Sequence, residues 1–319
     1  MRYPNSSPAI GIDLGATKIA AVLIHSTGEI LAERQCPTQA TQGAGAVADR
    51  ISELVYQLLG ETTTPPAGIG IGSPGRIDPQ QGIVYEAVNL GWEAVDLPEL
   101  LRQRLTEPLP LRIEKDTNAN AVGEMYFGAA QGVADFVYLG LGSGLGAGLV
   151  ADGQLIRGSQ GIAADLGHYS LDPNGLPCAC GLRGCAETLL SGPGLVRCVR
   201  RRLSAGNVPS RLVDSAGLSP QEILSAARAG DVLAQAALQE LGEALGQVAA
   251  ICAATLNPAM LVIGGGLGSA AYDILLPPAR EEFARRVPPA RCQALEWRPS
   301  QSKSSAIGAA CLVWQATGA

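Results

Sequence analysis

The sequence has no surplus of positive charge. Charged residues make up 16% of the 319 positions, and 23 lysines and arginines stand against 29 aspartates and glutamates, giving a formal net charge of −6. A nucleic-acid-binding surface needs clustered basic residues. The densest basic run, Arg197 to Arg202, lies in a segment with helical spacing, where a solvated helix face is the ordinary interpretation. We therefore expect no nucleic-acid partner.

Long apolar runs are also missing. The most hydrophobic stretch, Leu245 to Leu267, is interrupted by Asn257-Pro258 and by Gly264-Gly265-Gly266, whereas a membrane-spanning helix needs roughly 20 uninterrupted apolar residues. Residues Met1 to Pro8 lack the apolar core of a signal peptide. Eight cysteines without a secretion signal favour reduced thiols in a cytoplasmic protein. We expect neither a membrane partner nor a disulfide framework.

One pattern of short strands and glycine turns occurs twice, about half a chain apart. Each copy reads as strand, tight turn, strand, turn and strand. Helical spacing at Gly45 to Leu59, Ala119 to Phe127 and Asp231 to Leu256 fills the chain between strands, and a further buried strand at Ala259 to Ile263 is expected to run into a glycine loop. The duplication predicts an α/β fold with mixed sheets and a cleft between two halves. The copies are Ala9–Leu14, Ile19–Ile24 and Glu29–Arg34, then Phe136–Leu141, Leu145–Ala151 and Gln154–Arg157.

Three glycine turns are candidates for nucleotide binding. In the first, an acid at a strand end precedes glycine, a hydroxyl and a cation, so that backbone N–H groups can approach phosphates while the acid holds Mg²⁺ through water. Any one of them is also what a plain hairpin needs. Three turns, two of them related by the repeat, favour a nucleotide. The candidates are Asp13, Gly15, Thr17 and Lys18, then Gly142, Ser143 and Gly144, then Gly264, Gly265 and Gly266.

A further acid stands at a predicted junction between strand and helix. Asp116 follows a strand-like run at Leu109 to Ile113 and precedes the helix at Ala119. Such a position suits an active-site acid, and it equally suits a helix cap formed by Asp116 or Asn118. Spacing alone leaves both interpretations open.

Three cysteines are concentrated within eight residues. Cys178, Cys180 and Cys185 lie among glycines and a proline, ten residues beyond His168. Zinc favours a Cys₃His set in tetrahedral structural sites. Buried free thiols are the alternative, but a polar, glycine-rich loop is a poor place for a core. The pattern predicts a zinc site.

Taken together, these residues resemble the ROK family of sugar kinases and related repressors, over nearly the whole chain. The resemblance implies two actin-like (ribonuclease H-like) lobes, with mixed sheets flanked by helices and with sugar and ATP in the cleft. It places the small lobe at 1–115 and the large lobe at 116–301, with a C-terminal helix at about 302–319 that packs back on the small lobe. A homodimer or homotetramer is implied as well. The matching segments are Asp13–Lys18, Gly72–Gly75, the Asp116 segment, Gly142–Gly148, Asp165–His168, Cys178–Glu187 and Gly264–Leu267.

The resemblance also implies residue roles. Asp116 would take the proton from the primary (6-) hydroxyl of a hexose, with glucose the leading substrate and ATP, Mg²⁺ and Zn²⁺ as cofactors. Asp165, His168 and Glu187 would bind sugar hydroxyls, and the backbone near Gly75 would close the pocket. His168 has two ring nitrogens, so that one can bind zinc while the other faces the sugar.

The chain departs from the family pattern at two positions. Lys115 replaces the asparagine that usually precedes the catalytic aspartate and contacts the sugar, and Asp165 replaces a longer glutamate. A lysine charge beside Asp116 is expected to lower the pKa of that carboxyl. The alternatives are thus a catalytically weak or inactive sugar sensor, or a kinase for fructose or an N-acetylhexosamine. Because Asp13 is close to the start of the sequence, we expect no DNA-binding domain before it.

Overall fold

Thirteen strands form three sheets in this computed structural model, which describes residues 7 to 317 apart from Pro79, Asn207 and Lys303. Met1 to Ser6, within the segment examined for a signal peptide, and the last two residues of the predicted C-terminal helix region lie outside the described residues. The strands are β1 Ala9–Leu14, β2 Lys18–Ile24, β3 Ile30–Pro37, β4 Ile69–Ser73, β5 Arg76–Ile77, β6 Val84–Ala87, β7 Trp92–Val95, β8 Leu111–Lys115, β9 Phe136–Leu141, β10 Leu145–Ala151, β11 Gln154–Ile156, β12 Met260–Gly264 and β13 Glu296–Pro299.

Nine α-helices are described between and after these strands. Helix α5, for example, begins with a capping box. The Ser219 side chain accepts the Glu222 N–H, and the Glu222 side chain accepts the Ser219 N–H. No described helix is both long and apolar enough to cross a membrane. The helices are α1 Ala44–Leu59, α2 Leu97–Arg102, α3 Asp116–Phe127, α4 Gly192–Ala205, α5 Pro220–Arg228, α6 Val232–Thr255, α7 Gly265–Arg286, α8 Pro289–Ala294 and α9 Ser305–Thr317.

The two five-stranded sheets share one topology. Their strand orders are β3-β2-β1-β4-β8 and β11-β10-β9-β12-β13. In each, three antiparallel strands come from the hairpins of the sequence repeat, and two parallel strands follow on the other side. The structure thus confirms the repeat and the mixed α/β sheets. The small sheet β5-β6-β7 was not predicted, because its short strands carry too few residues for an alternating pattern.

Helix α9 packs directly on the first sheet. A Cβ atom at Gly11 of β1 would lie 1.9 Å from the Ala306 carbonyl oxygen, and one at Gly70 of β4 would lie 1.8 Å from that of Ala309. Side chains at either position would push the helix off the sheet, so glycine is required for this close approach. Helix α9 lies within the region predicted as the C-terminal helix, about 302–319. The lobe boundary at residues 115 and 116 stays a prediction.

Helix α3 lies between the two large sheets. It packs against α9, where a Cβ at Gly123 would lie 3.0 Å from Gly308 Cα. On its other side it meets β10, where a Cβ at Gly146 would lie 2.4 Å from Thr117 Cγ2 and one at Gly148 2.8 Å from Ala121 Cβ. The N-terminus of α3 is therefore held where the first sheet, the second sheet and α9 meet.

The prediction of a glycine loop after β12 is wrong. Gly264 ends the strand in extended conformation and α7 begins at Gly265, with no intervening loop. Gly265 has φ 77°, and a Cβ on it would lie 2.3 Å from the Leu141 carbonyl oxygen. Glycine is a poor helix former, but here it permits an immediate turn from strand to helix against the neighbouring strand.

Candidate functional site

The carboxyl ends of three strands of the first sheet meet at one edge. The parallel register pairs Asp13 on β1 with Gly72 on β4, Gly72 with Glu114 on β8, and Ser73 with Lys115. Asp116 follows directly and is the first residue of α3. A Cβ at Gly72 would lie 3.4 Å from Asp116 Cα. The sheet thus brings together Asp13, Lys115 and Asp116, although about a hundred residues separate the first from the other two in sequence.

Asp116 lies deep among protein atoms, although part of its surface stays accessible to solvent. Its Oδ1 accepts the Thr117 N–H at 2.6 Å. The N-cap of α3 is Lys115, which makes no side-chain capping bond; neither Asp116 nor Asn118 is therefore the N-cap. Burial raises the pKa of Asp116, while the Thr117 N–H and the Lys115 charge lower it by less. The expected lowering by Lys115 is thus outweighed by desolvation, which leaves a more basic carboxylate.

Asp13 is the second acid of this edge. Burial, together with the neighbouring Asp116 carboxylate, raises the pKa of Asp13 to about 6, against smaller opposing contributions from Lys18 and a hydrogen bond with Ser305. An acid whose proton affinity is raised by a neighbouring carboxylate favours a cation beside it. Asp13 and Asp116 therefore fit Mg²⁺, whose preferred ligands are carboxylate oxygens and water.

Each of the first two glycine turns is closed by a backbone hydrogen bond, although the first turn is one residue longer than the second. The Gly15 N–H donates to the Lys18 carbonyl at 3.0 Å, and the Gly142 N–H donates to the Gly144 carbonyl at 2.9 Å. Thr17, Lys18 and Ser143, at the tips of the turns, are exposed. Both hairpins therefore present accessible backbone and hydroxyl groups, as a phosphate-binding turn requires.

Glu187 lies against the second turn. Its Oε2 accepts the Leu145 N–H at 3.2 Å, and a Cβ at Gly144 would lie 2.2 Å from the same oxygen. The structure thus places this residue, predicted as a sugar ligand, in contact with the phosphate-turn candidate. A bond across 42 residues leaves no mark in the local sequence.

In the third glycine group, Gly264 ends β12, and Gly265 and Gly266 begin α7. A Cβ on Gly266 would meet no atom within 4 Å, so this position is open. Free N–H groups at a helix N-terminus favour anions. Gly192, whose N–H donates to the Gly142 carbonyl at 2.8 Å, is one wall of a cavity of about 390 Å³. It is lined by Gly192, Pro193, Val196, Arg197, Arg200, Ala216, Leu218 and Pro220.

The two residues that depart from the family pattern form an ion pair. Lys115 Nζ lies 3.8 Å from Asp165 Oδ1, with the lysine side chain 17% exposed and the aspartate side chain 50% exposed. The Asp165 carbonyl also accepts the His168 N–H at 3.1 Å. This bond holds Asp165 and His168 in one turn. Gly75, with φ 96°, begins the turn into the small sheet, where a Cβ would lie 2.5 Å from the Tyr85 carbonyl oxygen. Only glycine fits this turn.

The metal prediction corresponds to a compact cluster. One ligand atom each from His168, Cys178, Cys180 and Cys185 lies within 4.8 Å of the others. Cys180 Sγ is 3.5 Å from Cys185 Sγ, and Cys178 Sγ is 3.7 Å from His168 Nδ1. Ligands at ordinary zinc distances on a tetrahedron are about 3.6–3.8 Å apart. The donor set and its spacing therefore fit Zn²⁺.

Protonation of this cluster depends on its surroundings. Burial and the hydrogen bond with Cys180 raise the pKa of the Cys185 thiol to about 12. Zinc binds thiolates, so binding there must release protons. Because Nδ1 is the histidine nitrogen nearest Cys178, Nε2 lies on the opposite edge of the ring, available to a second partner.

Sequence reasoning missed the ion pair between Glu114 and Arg157. Glu114 is buried on β8, and Arg157, directly after β11, donates to it from Nε to Oε2 at 2.6 Å. A buried acid must be paired, but β8 has the sequence LRIEK, and its two basic residues gave no sign that Glu114 is buried. Its partner, 43 residues away, was not recognisable from spacing.

Comparison with known proteins shows the family. The ROK family model matches residues 9–316. The chain is 32% identical over 315 residues to a glucokinase of Halalkalibacterium halodurans, covering 96% of this chain and 94% of that protein. A ROK family glucokinase from Streptomyces griseus in complex with glucose and AMPPNP superposes with TM-score 0.82 and 33% identity, over 97% and 99% of the two chains.

A regulator is also similar. A ROK family transcriptional regulator, a homolog of the E. coli MLC protein, superposes with TM-score 0.88 and 29% identity, over 98% of this chain and 78% of the regulator. The likeness to both groups confirms the predicted actin-like fold with its two lobes. This chain therefore belongs to the ROK family.

Proposed function

We propose that this protein is a sugar kinase that transfers the γ-phosphoryl group of ATP to the primary (6-) hydroxyl of a hexose, with glucose as the leading substrate. The observation that carries the proposal is the position of Asp116. It begins α3 at the sheet edge that also holds Asp13, with its pKa raised by burial. The similarity to glucokinases, one of them bound to glucose and AMPPNP, supports this substrate and donor.

In the proposed reaction, Asp116 orients the sugar hydroxyl and accepts its proton as the oxygen attacks phosphorus. A general base of this kind works best when its pKa is shifted toward the operating pH, as burial does here. Bound Mg²⁺ would neutralise charge on the transferring phosphoryl group. The backbone N–H groups of the glycine turns contribute preorganised dipoles for the same charge.

The nucleotide would lie along the three glycine elements. Phosphates face Gly15 to Lys18, Gly142 to Gly144 and the N-terminus of α7 at Gly264 to Gly266. The cavity beyond Gly192 is large enough for the adenosine end, since it holds about 390 Å³ beside the second turn. Arg197 at its wall is held by the Thr188 carbonyl at 3.0 Å.

The sugar would lie between Gly75, the Lys115–Asp165 pair, His168 and Glu187. His168 has Nδ1 toward the cysteines, so its Nε2 can meet a sugar hydroxyl while zinc fixes the ring. The same carboxylate of Glu187 that accepts the Leu145 N–H can reach the sugar side of the second turn. We further propose a cytoplasmic homodimer or homotetramer with the lobe bounds given above.

A sugar sensor without turnover is the second candidate. Two observations favour it: the close superposition with a ROK transcriptional regulator, and the Lys115 charge paired with Asp165 in the expected sugar site. Phosphorylation of fructose or an N-acetylhexosamine is the third. Domain closure around the correct sugar decides which of these sugars is phosphorylated.

The deciding experiment is ADP release by the purified protein with Mg-ATP. The sugars are glucose, mannose, fructose, N-acetylglucosamine and N-acetylmannosamine, with a blank that contains no sugar. Turnover that depends on glucose is expected. Sugar binding in a thermal-shift assay without any ADP release would overturn the kinase proposal in favour of the sensor.

A further inference from the structure

We propose that the ion pair between Glu114 and Arg157 positions Asp116. Glu114 lies on the first sheet, two residues before Asp116, and also binds the first turn of α3. Arg157 joins it to the end of the second sheet. This inference rests on the proposed function for its effect on turnover. The pair itself is a structural feature independent of that function.

Glu114 is the centre of the arrangement. It is the last residue but one of β8 and is 7% exposed. Its Oε1 accepts the Asn118 Nδ2–H at 2.9 Å and the Lys115 N–H at 3.0 Å, while its Oε2 accepts Arg157 Nε–H at 2.6 Å. A carboxylate only accepts, so these bonds also fix which end of the Asn118 amide points toward it.

These bonds bracket Asp116 on both sides. Lys115, the preceding residue, is held through its backbone N–H, and Asn118, two residues later, is held through its side chain. Lys115 is the last residue of β8, and Asn118 lies in the first turn of α3. The direction of the Asp116 side chain therefore depends on the same carboxylate that binds Arg157.

Arg157 supplies the link to the other half of the molecule. It follows β11, the edge strand of the second sheet, and its side chain is 39% exposed while that of Glu114 is 9% exposed. Removing one partner of a pair that is buried on one side leaves an uncompensated charge. The turn would then rearrange to hydrate Glu114, and Asp116 would move with it.

The first turn of α3 carries further signs of constraint. Thr117 Oγ1 and Asn118 Oδ1 are buried without a hydrogen-bond partner among the described residues. Each such group opposes folding, so the turn keeps this conformation because its surroundings impose it. Two contacts constrain the turn. One is the ion pair between Glu114 and Arg157, and the other is the close packing of Thr117 against Gly146.

The test uses Glu114→Gln and Arg157→Met in the full chain. In Glu114→Gln, the oxygen of the introduced amide can still accept from Asn118 and Lys115, but the charge pair with Arg157 is lost. We expect kcat for the best sugar to fall roughly 10- to 100-fold, the range for a small misplacement of a reacting group, with sugar Kd unchanged within about twofold.

Arg157→Lys, which keeps the charge, is expected to recover part of the kcat that is lost in Arg157→Met. Arg228→Met, which breaks the exposed pair with Asp273, is the matched control.

A second readout does not depend on activity. Amide hydrogen exchange of the peptide containing residues 114–118 is expected to accelerate in Glu114→Gln and Arg157→Met and to stay unchanged in Arg228→Met. Unchanged exchange and unchanged kcat in both variants would overturn the positioning role, even if the parent is an active kinase. A parent protein that phosphorylates no sugar, with exchange accelerated in the variants, would overturn the proposed function and leave the positioning role standing.

Discussion

Lys115 Nζ and Asp165 Oδ1 form an ion pair at 3.8 Å, beside the place where a sugar is expected to bind. Both residues depart from the usual family pattern, in which neither position is a lysine or an aspartate. A cation in place of an amide and a shorter acid in place of a longer one therefore compensate each other, since the lysine reaches toward the shortened carboxylate. The pair carries no net charge, whereas the asparagine and glutamate of the usual pattern together carry one negative charge.

Breaking this pair should affect sugar binding non-additively. We expect Lys115→Met and Asp165→Asn each to raise the sugar KM, because each leaves one unpaired charge in the site. The double variant should be less impaired than the two single effects combined, with a coupling of roughly 0.2–1 kcal/mol, as for other partly exposed pairs. Steady-state kinetics of the cycle checks this, with the exposed Arg102–Glu99 pair as control. Strict additivity would contradict the compensation.

Replacing Asp116 tests the general base. In Asp116→Asn the side chain keeps its shape but cannot accept a proton, so kcat should fall roughly 10²–10⁴-fold while the sugar Kd is retained. Single-turnover kinetics and calorimetric binding of the sugar measure the two quantities. Asp152→Asn, at an exposed turn between β10 and β11, is the control and should be fully active. Full activity of Asp116→Asn would remove the assignment.

The sequence predicted those features that local pattern determines. Glycine turns and short apolar runs predicted the duplicated hairpins, because turn geometry depends on residues adjacent in the chain. The cysteine cluster predicted its own assembly for the same reason, since Cys178 to Cys185 fall within one loop. The position of Asp116 between β8 and α3 followed from the change from strand to helical spacing.

Contacts between distant segments were not predictable in this way. Glu187 with Leu145 and Glu114 with Arg157 join residues 42 and 43 positions apart, and no spacing rule selects such partners. The pKa direction of Asp116 was also missed, because desolvation depends on how deeply the cleft is enclosed by both sheets. The helix start at Gly265 was missed because glycine propensity predicts a loop.

Gly266→Ala should separate protein stability from nucleotide binding. The added methyl would meet no protein atom within 4 Å, and alanine favours a helix over glycine by up to about 1 kcal/mol, so Tm should stay constant or rise. If phosphates approach this turn, the methyl occupies their space and the ATP KM should rise while the sugar KM does not. Thermal unfolding and kinetics with each substrate varied measure these effects. An unchanged ATP KM would place the nucleotide elsewhere.

Cys180→Ser tests the metal site and its connection to the sugar. We expect loss of bound zinc by elemental analysis and a higher sugar KM, with the fold retained, because the metal holds the His168 ring. Cys36→Ser, on β3 and outside the cluster, is the control and should retain zinc. A metal-free variant with an unchanged sugar KM would contradict this role for zinc.

Stability without ligands should fall as the pH rises through the titration of Asp13. Its folded pKa is about 6, raised from 3.8, so the folded state binds more protons than the unfolded state between these values, and the stabilisation present below about pH 4 is lost by about pH 6. Asp13→Asn should remove this part of the pH dependence and be more stable than the parent at about pH 7.

A cation favours the ionised acid, so Mg-ATP should raise the Tm of the parent more at about pH 7.5 than at about pH 5.5. In Asp13→Asn the rise in Tm should be the same at both pH values. Thermal unfolding across this pH range, with and without Mg-ATP, measures both effects. Equal pH dependence in the two proteins would show that the acid controlling the site is not Asp13.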